Sequence, residues 1–488
     1  MKNRTLVATL TSLPAEGELR ALPPSVGILE VRADLLGDLD PDWLRDNFRG
    51  ELLYTLRSRA EGGAFEGGKA SRRKRLGAAA PRYDLVDLEA DRDLQPDLLV
   101  EVPVERRLIS WHGPATPFTE LQHKFASLAA LPARHYKMIP HAAQAGDELA
   151  SLALLQSLRR SDLTCFSTGE IGTWTRVAAP LFGSPLVYGS FGSQPGAPGQ
   201  LSLKRLIEDF HVPELEMPQA VFGIVGQPVA HSLSPRLHNG AYRALGVPAI
   251  YLPFHADSFG DFWLEVVESG SLESLGLPLR GLSVTAPYKE VALAVSGASS
   301  PRAQHIEAAN TLIYHEEVWE AETTDPEGVV LALEHGGAPP KGKKAAVVGC
   351  GGAGKAAAYG LHLAGASVTL VNRNSERGRK ASAELGMPYL RLAELDPGQF
   401  DIIVQATALG HHPEDELAFD PGRLKVGSAL IDMVYGNEPT RLVRTARELG
   451  HRAIDGREIL LFQALGQFRL MTGRDLNESL ARDLLGMA

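Results

Sequence analysis

Eight short apolar segments separated by helical or polar stretches constrain the fold of the first half of the chain more than any other feature. The segments are rich in Val, Ile, Leu, Thr and Tyr, and begin at Leu6, Gly27, Leu52, Tyr83, Arg106, His135, Leu163 and Pro185. Helical spacing is clear at 117–131 and 147–160, whereas Pro96 and Pro103 indicate one shortened connection. Eight β–α units in this length predict a (β/α)8 barrel.

The polar, proline-containing stretch 211–220 reads as a linker between this barrel and the rest of the chain. Strands and helices alternate again beyond it, and KKAAVVGCGGAGKAAA opens a second βαβ series. We therefore expect an α/β protein: a barrel followed by a two-domain module with a Rossmann domain. The expected bounds are 1–212 for the barrel, 219–323 for a substrate-binding domain, 324–455 for a nucleotide-binding domain and 456–488 for C-terminal helices that return to the substrate domain.

Charge and cysteine content limit the class of partner. The formal net charge is -10 and the pI is about 5.9, which argues against a nucleic-acid or anionic-membrane partner. Two cysteines, Cys165 and Cys350, suit a reducing compartment, and the apolar run at the start is too short for a membrane span or a signal peptide. We expect a cytoplasmic protein with small-molecule substrates and leave the assembly state open, with a homodimer as one candidate. The basic run 69–76 is interpreted as a solvated loop and helix start.

Polar side chains cluster at the carboxyl ends of the barrel strands, where the active sites of such barrels lie. Lys137 lies between apolar neighbours, so burial and nearby arginines should lower its pKa and leave an amine that attacks a ketone. His112, one strand earlier, is placed to move a proton, and Glu61 can orient its ring. Arg32, Arg57 and Arg176 would hold a carboxylate and hydroxyls. Together these residue types predict removal of water β to a ketone through an imine.

The motifs EVRAD, YTLRSxxEGG, SWH, HYKMI and GAPGQ, in this order, resemble those of type I 3-dehydroquinate dehydratase over residues 1 to about 212. The resemblance implies that Lys137 forms the imine, that His112 is the general acid and base, and that Glu61 supports it. It implies that the substrate is bound by Glu30, Arg32, Arg57, Arg176 and Gln200. Gly196 departs from the family's serine in GAPGQ, and we expect the missing hydroxyl to cost about 1 kcal/mol of binding.

The segment AAVVGCGGAGKAA has the strand, glycine loop and helix start of a dinucleotide-binding fold, with Gly349, Gly351 and Gly354 at the key positions. A P-loop is the alternative, but Ala356 has no hydroxyl for magnesium. Arg373 follows the next strand, where an NAD enzyme would carry an acidic residue. The arginine predicts a 2′-phosphate and hence NADP.

The motifs HSLSPRLHN, GLSVTAPYKE, EAANT, TTDPEG, DMVYGNEPTRL and GREILLFQALGQF resemble shikimate dehydrogenase over residues 220–488. The resemblance implies a catalytic pair, Lys289 and Asp325. It implies substrate binding by Ser232, Ser234, Thr285, Asn310, Tyr435 and Gln463. It implies cofactor binding by Gly349, Gly351, Gly352, Ala353, Gly354, Asn372, Arg373, Arg377, Thr407 and Gly456.

Ser283 and Thr324 replace asparagines common in bacterial members of that family, and the segment from Gln405 varies an asparagine-led motif near the nicotinamide. We expect no metal, and the adjoining His411 and His412 are interpreted as a solvated loop.

The two resemblances imply consecutive steps: 3-dehydroquinate to 3-dehydroshikimate in the barrel, then reduction to shikimate with NADPH. Two alternatives stay open. The second half could act on quinate, in the oxidative direction. The fusion could instead be a non-catalytic sensor of the same intermediates, although Lys137, His112, Lys289 and Asp325 are all present.

Overall fold

The structure, a computed structural model, describes residues 4–15, 17–192, 194–412, 414–436 and 438–487. The chain forms two compact units. The first contains residues up to Ala220 together with Pro248–Pro278, and the second contains Val221–Val247 and the residues from Leu279 onward. The units divide the chain differently from the expected domains, because the sequence assigns 248–278 to the substrate-binding domain. The expected bounds at 212, 323 and 455 stay predictions.

Eight parallel strands form the sheet of the first unit. They are Thr5–Leu10 (β1), Val26–Arg32 (β2), Glu51–Thr55 (β3), Leu85–Glu89 (β4), Arg107–Gly113 (β5), His135–Pro140 (β6), Leu163–Cys165 (β7) and Leu186–Phe191 (β8). Each strand from β1 to β6 pairs with the next one along the chain, and β8 pairs with β1. This is the strand order of a (β/α)8 barrel, so the predicted fold of the first half is confirmed.

The helices of the barrel lie between its strands. They are Ala33–Leu36 (α1), Pro41–Asn47 (α2), Lys69–Ala79 (α3), Pro96–Glu101 (α4), Phe118–Ala129 (α5), Leu149–Leu158 (α6), Thr173–Ala178 (α7) and Leu203–Glu208 (α8). The shortened connection is the six-residue α4, which begins at Pro96. Proline is tolerated there because the first helical N–H has no intrahelical acceptor.

The basic run is part of helix α3, and its arginines are paired within the barrel. Arg72 bonds both oxygens of Asp93 at 2.7 Å, and Arg73 bonds Glu101 at 2.9 Å. Arg75 Nη2 bonds Asp38 at 2.6 Å. These cations are already balanced by carboxylates. The expected helix start is present, but the expected solvated loop is not, because the run is helical from Lys69 and Arg72 is buried.

Twelve further strands follow the barrel within the described part of the chain. They are Ala220–Gly226 (β9), Ala249–His255 (β10), Leu279–Val284 (β11), Ala298–Ser299 (β12), Thr311–His315 (β13), Val318–Glu322 (β14), Lys344–Val348 (β15), Ser367–Asn372 (β16), Tyr389–Arg391 (β17), Ile402–Gln405 (β18), Ala429–Asp432 (β19) and Arg452–Ile454 (β20). In the second unit, β9, β11, β13, β14 and β12 are neighbours in this order, with β11 antiparallel to β13. The order β17-β16-β15-β18-β19-β20 forms an all-parallel sheet. This arrangement confirms the predicted Rossmann domain.

The remaining helices include those that begin at the predicted catalytic pair. They are Ser234–Leu245 (α9), Phe259–Phe262 (α10), Ser271–Ser274 (α11), Lys289–Val295 (α12), Pro301–Ile306 (α13), Asp325–His335 (α14), Gly352–Leu363 (α15), Ser375–Leu385 (α16), Arg441–Glu448 (α17), Gly456–Thr472 (α18) and Glu478–Leu485 (α19). Helix α14 packs on α15 and α18, and α19 packs on α9. Within the described ranges, each helix is too short or too polar to cross a lipid bilayer.

Candidate active sites

Lys137 lies within β6 and is buried inside the barrel. Its Nζ lies 3.7 Å from Glu30 Oε1, 3.8 Å from Asp87 Oδ2 and 4.1 Å from the centre of the Tyr188 ring. Burial lowers the pKa of Lys137; the two carboxylates oppose this effect and neighbouring arginines add to it. The net shift favours the neutral amine, which is the nucleophilic form.

His112 is paired with Glu61 across the mouth of the barrel. The distance from His112 Nδ1 to Glu61 Oε2 is 2.9 Å. Burial raises the pKa of Glu61 to about 8, and burial together with Arg57 and Lys137 lowers the pKa of His112 well below its ordinary value. Both shifts favour the sharing of one proton between the Glu61 carboxyl and the His112 imidazole. Such a pair holds one proton that can be exchanged with a reacting group.

Arg57, just beyond β3, is the centre of a buried ion-pair network. Its Nη1 donates to Glu61 Oε2 at 3.0 Å and to Glu89 Oε1 at 3.2 Å, and its Nη2 pairs with Asp87 Oδ2. Ser110 Oγ accepts from Arg57 Nη1 at 3.0 Å and donates to Asp87 Oδ1. Burial disfavours the charged guanidinium, but the three carboxylates outweigh it and raise the pKa of Arg57. Arg57 is a fixed cation in this site.

The segment 196–200 connects Arg32 and Gln200 to the rest of the mouth. Arg32 Nη1 donates to Gly196 O at 2.7 Å, and its other nitrogens bond both oxygens of Asp34. Gln200 Oε1 accepts from Gly196 N at 2.7 Å, and its Nε2 donates to Thr9 Oγ1 at 3.1 Å. Gly196 thus contributes its backbone N–H and carbonyl to this network.

The glycine at position 196 also leaves little room for the family's serine in this conformation. A Cβ added to Gly196 would lie 2.9 Å from Gln200 Oε1 and 3.0 Å from Thr9 Cγ2. A serine there requires the Gln200 side chain or the segment to move. The predicted cost of the missing hydroxyl stays a prediction.

Arg176, on α7, is a buried cation with no carboxylate partner among the described residues. Its Nη2 donates to Pro198 O at 3.2 Å, its guanidinium lies 4.4 Å from the centre of the Phe166 ring, and its Nε has no hydrogen-bond acceptor. Burial lowers the pKa of Arg176 to about 9. An unbalanced buried cation is suited to an anionic group of a ligand.

Each residue predicted for the barrel site lies in one connected region at the mouth, but the prediction missed several polar side chains of that region, among them Asp87, Ser110 and Tyr188. Asp87, Ser110 and Tyr188 are buried within strands and not at strand ends. The alternation of side chains along a strand could have revealed Asp87. Residues two positions apart in a strand face the same side, and Asp87 precedes Glu89 by two positions. Both contact Arg57.

The predicted catalytic pair of the second half forms one cluster with two predicted substrate-binding residues. Lys289 Nζ donates to Asp325 Oδ2. Asn310 Nδ2 donates to Asp325 Oδ1 at 2.8 Å and to Gln463 Oε1 at 2.9 Å. The side chain of Asp325 is 5% exposed and that of Lys289 is 16% exposed, so a ligand can reach the ammonium while the carboxylate stays covered.

The two departures from the bacterial pattern hold Asn310 in place. Thr324 N donates to Asn310 Oδ1 at 3.0 Å, and Thr324 Oγ1 accepts from Asn310 Nδ2 at 3.0 Å. Ser283 Oγ donates to Gln467 Oε1 at 2.9 Å, and Gln467 Nε2 donates to the Asn310 carbonyl at 3.0 Å. Gln467 was missed by the sequence analysis, although it lies one turn after Gln463 on α18 and so shares its helix face.

The predicted carboxylate-binding serines lie near the start of α9. Ser234 N donates to Ser232 Oγ at 3.2 Å, and both residues are buried. Burial raises the pKa of Tyr435, while a hydrogen bond with Ser232 opposes the shift. Tyr435 therefore lies beside Ser232, so the two side chains can bind the same ligand group. Thr285 follows β11 and precedes Lys289 by four residues.

The glycine loop Gly349–Gly351 joins β15 to α15, which Gly352 and Ala353 open. Gly349 has φ of +111°, in the left-handed region that favours glycine. A Cβ at Gly354 would lie 1.9 Å from Gly349 O, so only glycine fits there. A Cβ at Gly352 would lie 3.1 Å from Lys289 Cβ, which places the loop beside the predicted catalytic pair. The loop and its helix start fit the pyrophosphate of a dinucleotide.

Lys355 distinguishes the dinucleotide loop from the P-loop alternative. It is buried, and its Nζ lies 3.2 Å from Glu384 and 3.7 Å from Glu307. A P-loop lysine must instead be available to a phosphate. These contacts agree with a structural role for Lys355.

Two arginines lie near the end of β16, where the ribose of a dinucleotide is held. Arg373 is exposed and makes no hydrogen bond or ion pair with any described residue. Arg377 Nε donates to Cys350 O at 3.2 Å, and its Nη2 pairs with Glu290 at 3.3 Å. Asn372 Nδ2 donates to Asn374 O at 2.9 Å and shapes the turn. A free guanidinium here fits a 2′-phosphate.

Gln405, which departs from the asparagine-led motif, organises the turn that carries Thr407. Its Oε1 accepts from Thr407 N, and its Nε2 donates to Leu409 O at 2.8 Å and to Asp432 Oδ1 at 3.2 Å. Gly456 begins α18, where a Cβ would lie 2.6 Å from the Val434 carbonyl. Thr407 and Gly456 thus lie in tightly determined turns.

The loop after this turn carries two exposed histidines, His411 and His412. In the part of the chain that the structure describes, no three His, Cys, Asp or Glu side chains are grouped so that they could hold a metal ion.

The fold and the two clusters define a two-module α/β enzyme: a barrel with a buried lysine, followed by a dinucleotide-dependent reductase. A family model of type I 3-dehydroquinase matches residues 11–214, and one of the shikimate dehydrogenase substrate-binding domain matches residues 224–312. A shikimate dehydrogenase (NADP(+)) of Methanothrix thermoacetophila is 34% identical over 257 residues, 52% of this chain and 92% of that protein. The chain belongs to the shikimate dehydrogenase family, joined here to a type I 3-dehydroquinase module, and the resemblances found in the sequence are confirmed.

The combination of modules also occurs in a relative. The chloroplastic bifunctional 3-dehydroquinate dehydratase/shikimate dehydrogenase of Arabidopsis thaliana is 29% identical over 476 residues, 91% of this chain and 77% of that protein. The solved shikimate dehydrogenase of Aquifex aeolicus matches 55% of this chain and 97% of its own with a TM-score of 0.51 at 29% identity. A quinate dehydrogenase of Corynebacterium glutamicum, solved with NAD, matches 56% of this chain and all of its own with a TM-score of 0.50 at 25% identity. One module is thus a lyase and the other an oxidoreductase.

Proposed function

We propose that the barrel dehydrates 3-dehydroquinate to 3-dehydroshikimate and that the second module reduces this product to shikimate with NADPH. The observation that carries the proposal is the buried Lys137, its Nζ 3.7 Å from Glu30 and beside the Tyr188 ring, in a barrel that matches type I 3-dehydroquinase. A lysine in this environment is a nucleophile, and a merely structural lysine would be expected to find a closer ion-pair partner.

In the barrel, the Lys137 amine attacks the ketone carbon, and loss of water gives an imine. His112 removes a proton from the carbon next to the imine, and the β-hydroxyl leaves as water after it receives a proton. Hydrolysis of the imine releases the enone and regenerates the amine. Glu61 orients the imidazole through the bond to Nδ1. Arg176 is assigned to the substrate carboxylate, because it is the cation without a carboxylate partner in the described mouth.

The remaining barrel residues bind and orient the substrate. Arg32 and Gln200 both hydrogen-bond the backbone of Gly196. These two bonds can hold the segment 196–200 over a bound ligand. Glu30 accepts hydrogen bonds from Thr9 Oγ1 at 2.7 Å and Thr55 Oγ1 at 2.9 Å, which leaves it fixed beside Lys137. Arg57 is fixed in the same way by its carboxylates. Preformed partners of this kind reduce the reorganisation needed in the reaction.

In the second module, Lys289 donates a proton to the oxygen of the carbonyl under reduction, and Asp325 holds the ammonium toward it. Asn310 and Gln463 are assigned to substrate hydroxyls. Ser232, Ser234 and Tyr435 are assigned to its carboxylate, with Thr285 on a hydroxyl. NADPH, held by the glycine loop, Arg373 and Arg377, supplies the hydride when bound. Asn372, Thr407 and Gly456 shape the rest of that cofactor site.

A coupled assay tests the proposal. The full chain, given 3-dehydroquinate and NADPH, should oxidise NADPH, and mass spectrometry should identify shikimate as the product. Absence of NADPH oxidation with 3-dehydroquinate and with supplied 3-dehydroshikimate would support the non-catalytic alternative. Faster turnover of quinate with an oxidised nicotinamide would instead support the quinate alternative. We further propose that the enzyme works in the cytoplasm, which agrees with its two free, buried cysteines, and the homodimer stays a prediction.

A further inference from the structure

Asp87 is a buried carboxylate near the proposed nucleophile, and it has no role in the proposed dehydration steps. It lies within β4 and is 1% exposed. Its Oδ2 pairs with Arg57 Nη2 and lies 3.8 Å from Lys137 Nζ, and its Oδ1 accepts a hydrogen bond from Ser110 Oγ. Asp87 thus contacts both a substrate-binding guanidinium and the imine-forming lysine.

Charge balance alone does not account for this carboxylate. Arg57 already has two other carboxylate partners, Glu61 at 3.0 Å and Glu89 at 3.2 Å. Burying a further carboxylate costs several kcal/mol unless its contacts offset the loss of hydration. Of the three carboxylates paired with Arg57, Asp87 is the one that also lies within 4 Å of Lys137. Its distinctive property is therefore that it connects these two cations.

We propose that Asp87 is a positioning residue of the dehydratase, whose negative charge holds Lys137 and Arg57 at the separation that the imine-forming step requires. This inference rests on the proposed function, because it needs Lys137 as the nucleophile. While Lys137 is protonated it repels the nearby Arg57 guanidinium in this buried site, and a carboxylate that contacts both residues offsets that repulsion. The Ser110 hydroxyl, bonded to both Asp87 and Arg57, fixes the direction of the carboxylate.

The charge of Asp87 should be measurable through Lys137. The titratable groups that face or act on Lys137 are Glu30, Arg32, Arg57, Asp87, His112 and Tyr188. Removing the charge of Asp87 takes away one of the two nearby carboxylates that raise the pKa of Lys137. The arginines that lower this pKa remain, so the Lys137 ammonium should lose its proton at lower pH.

Competitive labelling of Lys137 with trace acetic anhydride across a pH series tests the proposal, in the full chain without substrate. In Asp87→Asn the pH midpoint of Lys137 labelling should fall by about 1 to 3 pH units. This is the pKa change expected from removing one charge at this distance, from water-like to protein-like dielectric constants. The kcat of dehydration should fall at least 10-fold. A merely structural role gives the opposite sign, since a loosened site exposes Lys137 and raises its midpoint toward the ordinary lysine value.

Two variants complete the design. Asp93→Asn is the matched control, because Asp93 is also a buried barrel carboxylate, bonded to Arg72 at 2.7 Å. Its midpoint should equal that of the unmodified enzyme. Asp87→Glu keeps the charge but displaces Arg57, so its midpoint should stay within about half a pH unit while kcat still falls. If Asp87→Asn does not fold, unchanged kcat in Asp87→Glu overturns the proposal.

Borohydride trapping separates this proposal from the proposed function. An unmodified enzyme with no substrate adduct on Lys137 contradicts both. An unmodified enzyme that is trapped at Lys137, together with an Asp87→Asn variant of unchanged midpoint and kcat, contradicts only the role of Asp87. A circular dichroism spectrum and a cooperative urea unfolding transition like those of the unmodified enzyme show that the barrel of each variant is folded.

Discussion

Lys289 and Asp325 are the first residues of two different helices, and their side chains meet in a hydrogen bond from Nζ to Oδ2. Asn310 bonds the other oxygen of Asp325 at 2.8 Å, so the carboxylate cannot rotate away from the lysine without breaking that bond. The proposed catalytic pair of the second module is therefore preorganised by the fold.

Lys289→Ala should abolish reduction of 3-dehydroshikimate, by at least about 100-fold in kcat, because the proton donor is lost. Dehydration of 3-dehydroquinate should continue at the normal rate, since Lys289 lies outside the compact unit that contains the barrel. Separate assays of the two half-reactions measure both effects. Loss of both activities in a folded variant would show that the modules are not independent.

Arg373 should determine the preference for NADPH. A guanidinium that grips a phosphate contributes about 1.5 to 3 kcal/mol, so kcat/KM for NADPH should exceed that for NADH by this amount. Arg373→Ala should shrink the difference, whereas Lys380→Ala, a change at an exposed lysine paired with Glu384, should preserve it. Equal efficiency with both cofactors in the unmodified enzyme would remove the argument.

Lys137 and His112 should differ in covalent trapping. Borohydride added during turnover should fix a substrate-derived mass on the peptide that contains Lys137. His112→Ala should still be trapped while turnover falls roughly 10²- to 10⁴-fold, because only the proton transfer is impaired. Lys137→Ala should give no adduct yet reduce supplied 3-dehydroshikimate normally. An adduct on a different lysine would refute the assignment.

Glu148 should make the stability of the barrel depend on pH. Burial raises the pKa of Glu148 to about 7 from an ordinary value of 4.5, and its Oε2 accepts from Gly146 N at 2.8 Å. The folded state therefore binds the proton more tightly than the unfolded state. The contribution of the protonated Glu148 side chain to the free energy of unfolding is complete below about pH 4.5 and is lost as pH rises through 7. In urea unfolding, Glu148→Gln should gain about 1 to 3 kcal/mol relative to the unmodified enzyme between pH 5 and pH 8. The exposed Glu120→Gln should show no such gain.

The sequence was sufficient for the fold class and for most of the chemistry. Alternation of apolar segments and helices predicted the barrel, because each β–α unit carries its own periodic pattern. The motifs around Lys137, His112, Lys289 and Asp325 are local in the chain, so the residue types could be recognised without knowing their neighbours. The free guanidinium of Arg373 agrees with the prediction made from its position after β16.

The tertiary structure decided which side chains act on these residues. Asp87 and Ser110 escaped the sequence analysis because they lie within apolar strands, and the contacts that reveal them come from residues 30 to 53 positions away in the chain. Gln467 bonds the Asn310 carbonyl across 157 positions. The grouping of Pro248–Pro278 with the barrel likewise depends on packing between distant segments. A sequence fixes local periodicity and residue chemistry, whereas long-range contacts and the electrostatic shifts they cause exist only once the chain has folded.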